Sequence, residues 1–397
     1  MNAISPADAT VGVRSVDVSR GELRGEVSAQ WAARPEDQKF LSLEDLFESV
    51  NRRRQASYET MIVPKDIRLT ASRDDVHALT IEADGTPVTP THYSFGQLCG
   101  LAKAPSGYLR SMHAFRAAFN LQSDLLMRNE DMPIKLYAER DGMTARAFTG
   151  SDYGRIYDSD LVATVQQFAG TGSRWKVPGQ IDWSKGTYNP YVNVTKDTTT
   201  LYASDRDVFM FLVDDTHPIS VGNLPNGDDD LIFRGFYTYN SEVGARSLGI
   251  ATFWLRAVCQ NRNLWGVEDF DHLRIVHSKH GNTRFMREAA PALRRYAESE
   301  PTKLLAGIKA AREAVVAKDD EERIKFLTKE VNLDISLKAA MKIIETVERE
   351  EGKKPESVWD FCQGITAVAR DIPNQDNRLE MEKLAGKLMN RAARGAV

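Results

Sequence analysis

Two neighbouring windows hold most of the residues whose types and spacing suggest chemistry: YNSEVGARSLGIATFWLRAVCQNRNLWG (239–266) and RIVHSKHGNTRFMREA (274–289). In the first, the spacing predicts a helix from Glu242 to about Asn261, with Leu248, Ala251, Leu255 and Val258 along its apolar face. On that reading Asn240 or Ser241 caps the helix and Glu242 complements its dipole. Arg246 then lies near the helix start, where free amides favour an anion, so capping and anion binding both remain open. Arg256 projects from the same helix as a buried ion-pair partner of Glu242 or Asp269. Cys259 ends the helix as a structural thiol with no base beside it in sequence. In the second window His277 and His280 sit three apart, adjacent on a helix and on opposite faces of a strand. With His272 they raise a metal alternative, but no further ligand is convincingly spaced. His277 is therefore read as a hydrogen-bonding group for phosphate or backbone.

Charge singles out the same region. The formal net charge is -4, which excludes a globally basic nucleic-acid coat and leaves only a local basic surface. Between 244 and 296, Arg246, Arg256, Arg262, Arg274, Lys279, Arg284, Arg287, Arg294 and Arg295 face only Glu268, Asp269, Asp271 and Glu288, roughly +5. Phe253, Trp254, Trp265, Phe270 and Phe285 interleave with these cations, a pattern suited to phosphate neutralisation with base stacking. The acidic clusters SDRD (204–207), VDD (213–215) and GDDD (227–230) offer the alternative of a divalent cation, with Asp205 or Asp228 as ligands. No P-loop, GxGxxG, GxSxG or HExxH is present, so no catalytic residue, metal or cofactor is assigned.

The windows also resemble the phage- and plasmid-borne family catalogued as domain of unknown function 932. The resemblance rests on Asn240, Ser241, Glu242 and Gly244, then Arg256, Val258 and Cys259, then Asn261, then Arg274 with His277. RAFTGSDYGRIYDSDLV (146–162) and the run from VWDFCQGITAVARD to EKLAGKLM are similar to the family's hairpin-to-helix step and C-terminal helical pair. Arg262 stands where that family has glycine, and GlnGlyIleThr (363–366) departs from its C-terminal pattern. The resemblance implies a mobile-element protein in a bacterial host cell.

The elements that must position these residues read as an α+β fold: a β-rich core with hairpins and covering helices, plus an all-helical C-terminal region. Residues 1–40 read as a flexible arm, 41–290 as the α+β core and 291–397 as the helical region. Ser42 is an N-cap with Asp45 at the N3 position, opening a helix that ends in Arg52–Arg54. Those arginines are read as a solvated end or a phosphate contact. Asp141-Gly142 marks a hairpin, and 174–239 is β-rich. Cys99, Cys259 and Cys362 lie far apart, and no apolar run reaches about 18 residues, so a cytoplasmic protein without a membrane span or disulfides is expected. Single-stranded DNA is the expected partner, contacted by Arg246, Arg262, Arg274, His277, Lys279, Arg284 and Arg287, in an annealing-type recombination protein that forms homo-oligomers. Two alternatives stay open: an interaction protein that acts on a host or phage machine without touching nucleic acid, and a divalent-metal nucleotide or nucleic-acid enzyme.

Overall fold

The computed structural model describes residues 34–395 apart from 73, 75–77, 128–131, 142, 170–171, 178–180, 183–186, 189–192, 197–198, 215, 224–226, 228, 257–264, 267–272, 299–301, 331–334, 371 and 373–374. Strand β1 (Lys39–Phe40) leads into helix α1 (Leu43–Ala56), whose cap is Ser42, accepting from the Asp45 amide at 3.0 Å as the sequence suggests. Next come β2 (Ser57–Ile62), β3 (Arg68–Ala71), β4 (Leu79–Glu82) and β5 (Pro87–Pro90). Helices α2 (His92–Leu101), α3 (Ser106–Arg110) and α4 (Ala114–Leu126) follow, then the hairpin β6 (Ile134–Glu139) and β7 (Thr144–Gly150). These strands form a six-stranded sheet in the order β2-β6-β7-β5-β4-β3, antiparallel except for β5 beside β7. Phe95 and Leu98, Leu109, and Leu121 and Leu125 of the three helices cover Ile81, Val88 and Leu136, forming one apolar core.

After α5 (Asp158–Ala169) the chain becomes β-rich, as expected. It runs through β8 (Trp175–Lys176), β9 (Ile181–Asp182), β10 (Thr187–Tyr188), β11 (Leu201–Ala203), β12 (Val208–Asp214), β13 (Ile219–Asn223) and β14 (Asp229–Asn240). It continues through β15 (Leu248–Arg256), β16 (Trp265–Gly266) and β17 (Leu273–Ile275). The larger sheet has the order β1-β11-β12-β14-β15-β16, with β8 on β12, β13 on β14 and β17 on β15. Here the expected helix from Glu242 is overturned: Ser241–Ser247 is the turn of a hairpin, and Leu248–Arg256 is a strand paired along β14. The physical reason is burial on both faces. Leu248, Ile250, Thr252 and Trp254 alternate with a buried Ala251 on the opposite face, so the apolar run is continuous and mimics a helix period.

Helices then close the fold: α6 (Gly281–Glu298), α7 (Thr302–Glu313), α8 (Asp320–Lys325) running on into a π-helical turn, α9 (Leu337–Glu351), α10 (Val358–Arg370) and α11 (Gln375–Ala393). Residue 290, the expected boundary between core and helical region, falls within α6. Phe285, Ala289, Leu293 and Tyr296 of that helix bury together with α1, α5 and one face of the larger sheet. The later helices form their own core, which takes in Ile232 of β14 and Trp254 of β15 and so joins the sheet. At the other end, Arg34 is buried against Asp207 and β1 pairs with β11, so the described part of the expected arm belongs to the core. Residues 1–33 lie outside the described residues.

Candidate nucleic-acid interface

The hairpin turn between β14 and β15 is the centre of a buried polar junction between the two sheets. The Ser241 carbonyl accepts from the Gly244 amide at 3.1 Å, and Gly244 has φ +93°, a left-handed conformation that favours glycine. Asn240 reaches away from the turn, its Nδ2 donating to the Ile156 carbonyl and to Asp158 Oδ1, both at 2.8 Å. Ser241 Oγ donates to the Arg206 carbonyl at 2.6 Å. Glu242 is buried and ion-paired with Arg146 of β7, itself fully enclosed, while Glu242 Oε2 accepts from the Asp158 amide at 3.0 Å. Arg155 donates to the Glu242 carbonyl and pairs with Glu59 at 2.9 Å. The Tyr137 ring lies beneath both guanidiniums, 4.1 Å from Arg155 and 5.1 Å from Arg146.

The two buried carboxylates are pushed apart in acidity. Burial, then the charge of Glu242, raises Asp158 well above the usual carboxylate range. Burial also opposes ionisation of Glu242, but Arg146 and the Asp158 amide outweigh it and hold Glu242 below its ordinary value. Of the two, Asp158 is the one that holds a proton the more readily. Beside it, Asp207 is buried too, yet Arg34 at 2.7 Å and Arg246 at 3.8 Å keep it ionised. Four chain segments, at Arg34, Arg146, Asp207 and 242–246, are thus cross-linked by paired charges, an arrangement in which removing one partner strands the other.

The junction grips the second window directly. His277 is buried and stacked on Tyr153, with centroids 5.1 Å apart and rings inclined by 4°. Its Nδ1 accepts from the Ile156 amide at 3.2 Å. Burial, with Arg155 nearby, lowers its pKa to about 4, so the ring is neutral. Gly154 lies so close to the following turn that a Cβ there would sit 1.9 Å from the Ser278 carbonyl oxygen. Only a residue without a side chain permits that approach. The turn Ser278–His280 and the first turns of α6 are consequently fixed against the junction, with their outer side exposed. Arg274, Lys279 and Arg287 are exposed, and Arg284 is nearly so. Arg274 Nε donates to Ser247 Oγ at 2.9 Å, and Arg284 and Arg287 share Glu288 at 3.0 Å each.

The residues singled out from the sequence are therefore divided. Arg274, Lys279 and Arg287 are exposed and Arg284 is partly so, all along the stretch from β17 into α6. Arg246 is not at a helix start: it sits in the hairpin turn, paired to Asp207 and 5.4 Å over the Tyr239 ring. His277 faces inward. Asn240, Ser241, Glu242 and Gly244 are not a helix cap; they build the buried junction. Arg256 is on β15, and Glu242 takes Arg146 as its partner instead. Cys259, Asn261, Arg262, Asp269, Phe270 and His272 lie outside the described residues. Trp254 and Phe285 are buried, which removes them as stacking platforms. Of the Arg52–Arg54 run, Arg52 is exposed, as a solvated helix end would be, whereas Arg53 and Arg54 are partly exposed and pair with Glu139 and Asp160. The acidic clusters are dispersed, Asp207 to Arg34, Asp214 to Arg174 and Asp230 to Arg312; Asp215 and Asp228 are outside the described residues. Sequence reasoning missed Arg146, Arg155, Asp158 and Gly154. The available signal was an arginine inside each of two otherwise apolar or small-residue runs, ARAFTG and YGRIYD.

No family model, no curated protein and no solved structure matches the chain. Among the described residues no helix is long and apolar enough to cross a membrane.

Proposed function

We propose that this chain is a phage- or plasmid-encoded single-stranded DNA-binding protein of the annealing, recombination type, and that DNA contacts the corner where β17 meets α6. The observation that carries the reading is charge. Between 273 and 289, Arg274, Lys279, Arg284 and Arg287 face solvent while Glu288 is the sole acid in the sequence, so four cations less one carboxylate leave +3. Such a cluster on a rigidly held turn suits a phosphate backbone, whose binding releases condensed counterions. The apolar side chains exposed beside it are Val276 and Met286, at 57% and 70%, rather than aromatics. Binding on this account is led by phosphates and tolerant of sequence.

Fluorescence anisotropy with a labelled oligothymidine tests the reading. Reversing Arg284→Glu and Arg287→Glu together is expected to weaken binding and to flatten the salt dependence by about 1.4, two contacts at roughly 0.7 each, with unchanged melting. Unaltered affinity in that variant would remove the corner from the DNA path.

A further inference from the structure

Helix α6 keeps one register from end to end, across Pro291. Phe285, Ala289, Leu293 and Tyr296 are buried along a single inner line, in the core shared with α1, α5 and the larger sheet. Successive residues of an α-helix step round its axis by about 100°, so Arg284, Arg287, Pro291 and Arg295 fall within about 80° of one another on the outer side. Arg287, Pro291 and Arg295 are exposed, and Arg284 is partly so. Glu288 is the sole acid in the sequence between 280 and 295, and Arg284 and Arg287 already share it. Arg295 stands seven residues beyond Glu288, about 10 Å further along the axis.

A cation in the last turn of a helix complements its dipole, and for Arg295 that local role needs no ligand. The dipole does not account for the row: three guanidiniums in line over about 16 Å of a helix whose inner face is fixed. A single phosphate would engage one or two of them, whereas a linear polyanion matches all three. A strand crossing the helix at Arg284 and Arg287 would miss Arg295, about 12 Å beyond Arg287 along the axis. We infer that a single strand of DNA lies along the axis of α6, its phosphates following Arg284, Arg287 and Arg295 from the turn at Ser278 toward the C-terminal end of the helix. This rests on the DNA-binding reading above and adds to it a direction and one further contact residue, Arg295.

Anisotropy of a labelled oligothymidine with the full chain, near about 50 mM salt, is the test, with circular dichroism confirming that each variant is folded. Arg295→Glu is expected to weaken binding about tenfold and to lower the salt slope by roughly 0.7, the share of one phosphate contact. Arg295→Lys keeps a positive charge for the phosphate and is expected to stay within about twofold of the wild type. Lys338→Glu, at the exposed start of α9, makes the same change in net charge away from the row and is also expected to stay within about twofold. A loss in Lys338→Glu equal to that in Arg295→Glu would reduce the effect to net charge and overturn the path along α6. Unchanged affinity in Arg295→Glu, with binding still weakened by Arg284→Glu and Arg287→Glu together, would also overturn that path while leaving the DNA-binding reading in place. A wild type that binds no oligothymidine would overturn both.

Discussion

Glu242 owes its position to Arg146, and that pairing decides what its loss would cost. Glu242→Gln retains the size of the side chain and can still accept from the Asp158 amide, but among the described residues it leaves the fully buried guanidinium with the part-exposed Glu139 at 3.2 Å as its charged partner, beside the neutral Asp205 carbonyl and Tyr137 hydroxyl. Breaking a buried pair from one side costs about 3–5 kcal/mol, well above the roughly 0.3–1 kcal/mol of a lost helix-dipole contact. Chemical denaturation of the variant is expected to show the larger figure. Asp158 behaves in the opposite sense with pH. An unfolded aspartate ionises near about 3.9, whereas Asp158 in the fold keeps its proton well above that. Between those values the folded chain binds more protons than the unfolded one, so this group's contribution to stability falls as pH rises. Asp158→Asn removes that fall while preserving an acceptor for Asn240. Its urea midpoint relative to wild type should therefore climb as pH is raised from about 4; a parallel offset at every pH would place the proton elsewhere. Neither property was legible in the sequence. Glu242 was visible as a candidate, but its partner lies 96 positions away on another sheet.

Among the elements, the turn at Ser278 is where junction and surface meet. A methyl group at residue 154 cannot coexist with the Ser278 carbonyl, and the opposing atoms are backbone, so one strand of the contact must move. Overpacking of that kind costs typically about 1–3 kcal/mol. Gly154→Ala is expected to lose that much stability and, because His277 and Lys279 move with the turn, to weaken DNA binding without altering a single cation. Wild-type affinity in a destabilised Gly154→Ala would separate the turn from the binding surface. Local signals served well where a cap, a turn or a wet face marks the element. The α1 cap, the β6–β7 hairpin and the amphipathic C-terminal helices were all readable. They failed at β15, where Ile250, Ala251 and Thr252 are buried on both faces and alternation disappears. The cap chemistry of Asn240–Glu242 was equally ambiguous, since the same residues that stop a helix also make tight turns.

For the whole molecule, the α+β architecture divides the work. The larger sheet and α6 offer the basic stretch, and the helices after α6 bury Ile232 and Trp254 of the larger sheet. Binding at the corner is the central claim, and it carries a definite electrostatic signature because no buried aromatic there can contribute stacking. Three to four phosphate contacts imply that log affinity for single-stranded DNA falls against log salt with a slope between about −2 and −3. A protein partner held by apolar contact would show almost no slope. The salt titration of the wild-type chain with an oligothymidine is thus the most direct measurement. The account predicts binding near about 50 mM salt that weakens with that slope. Absence of binding at that salt, or affinity that does not change as salt rises, would contradict it.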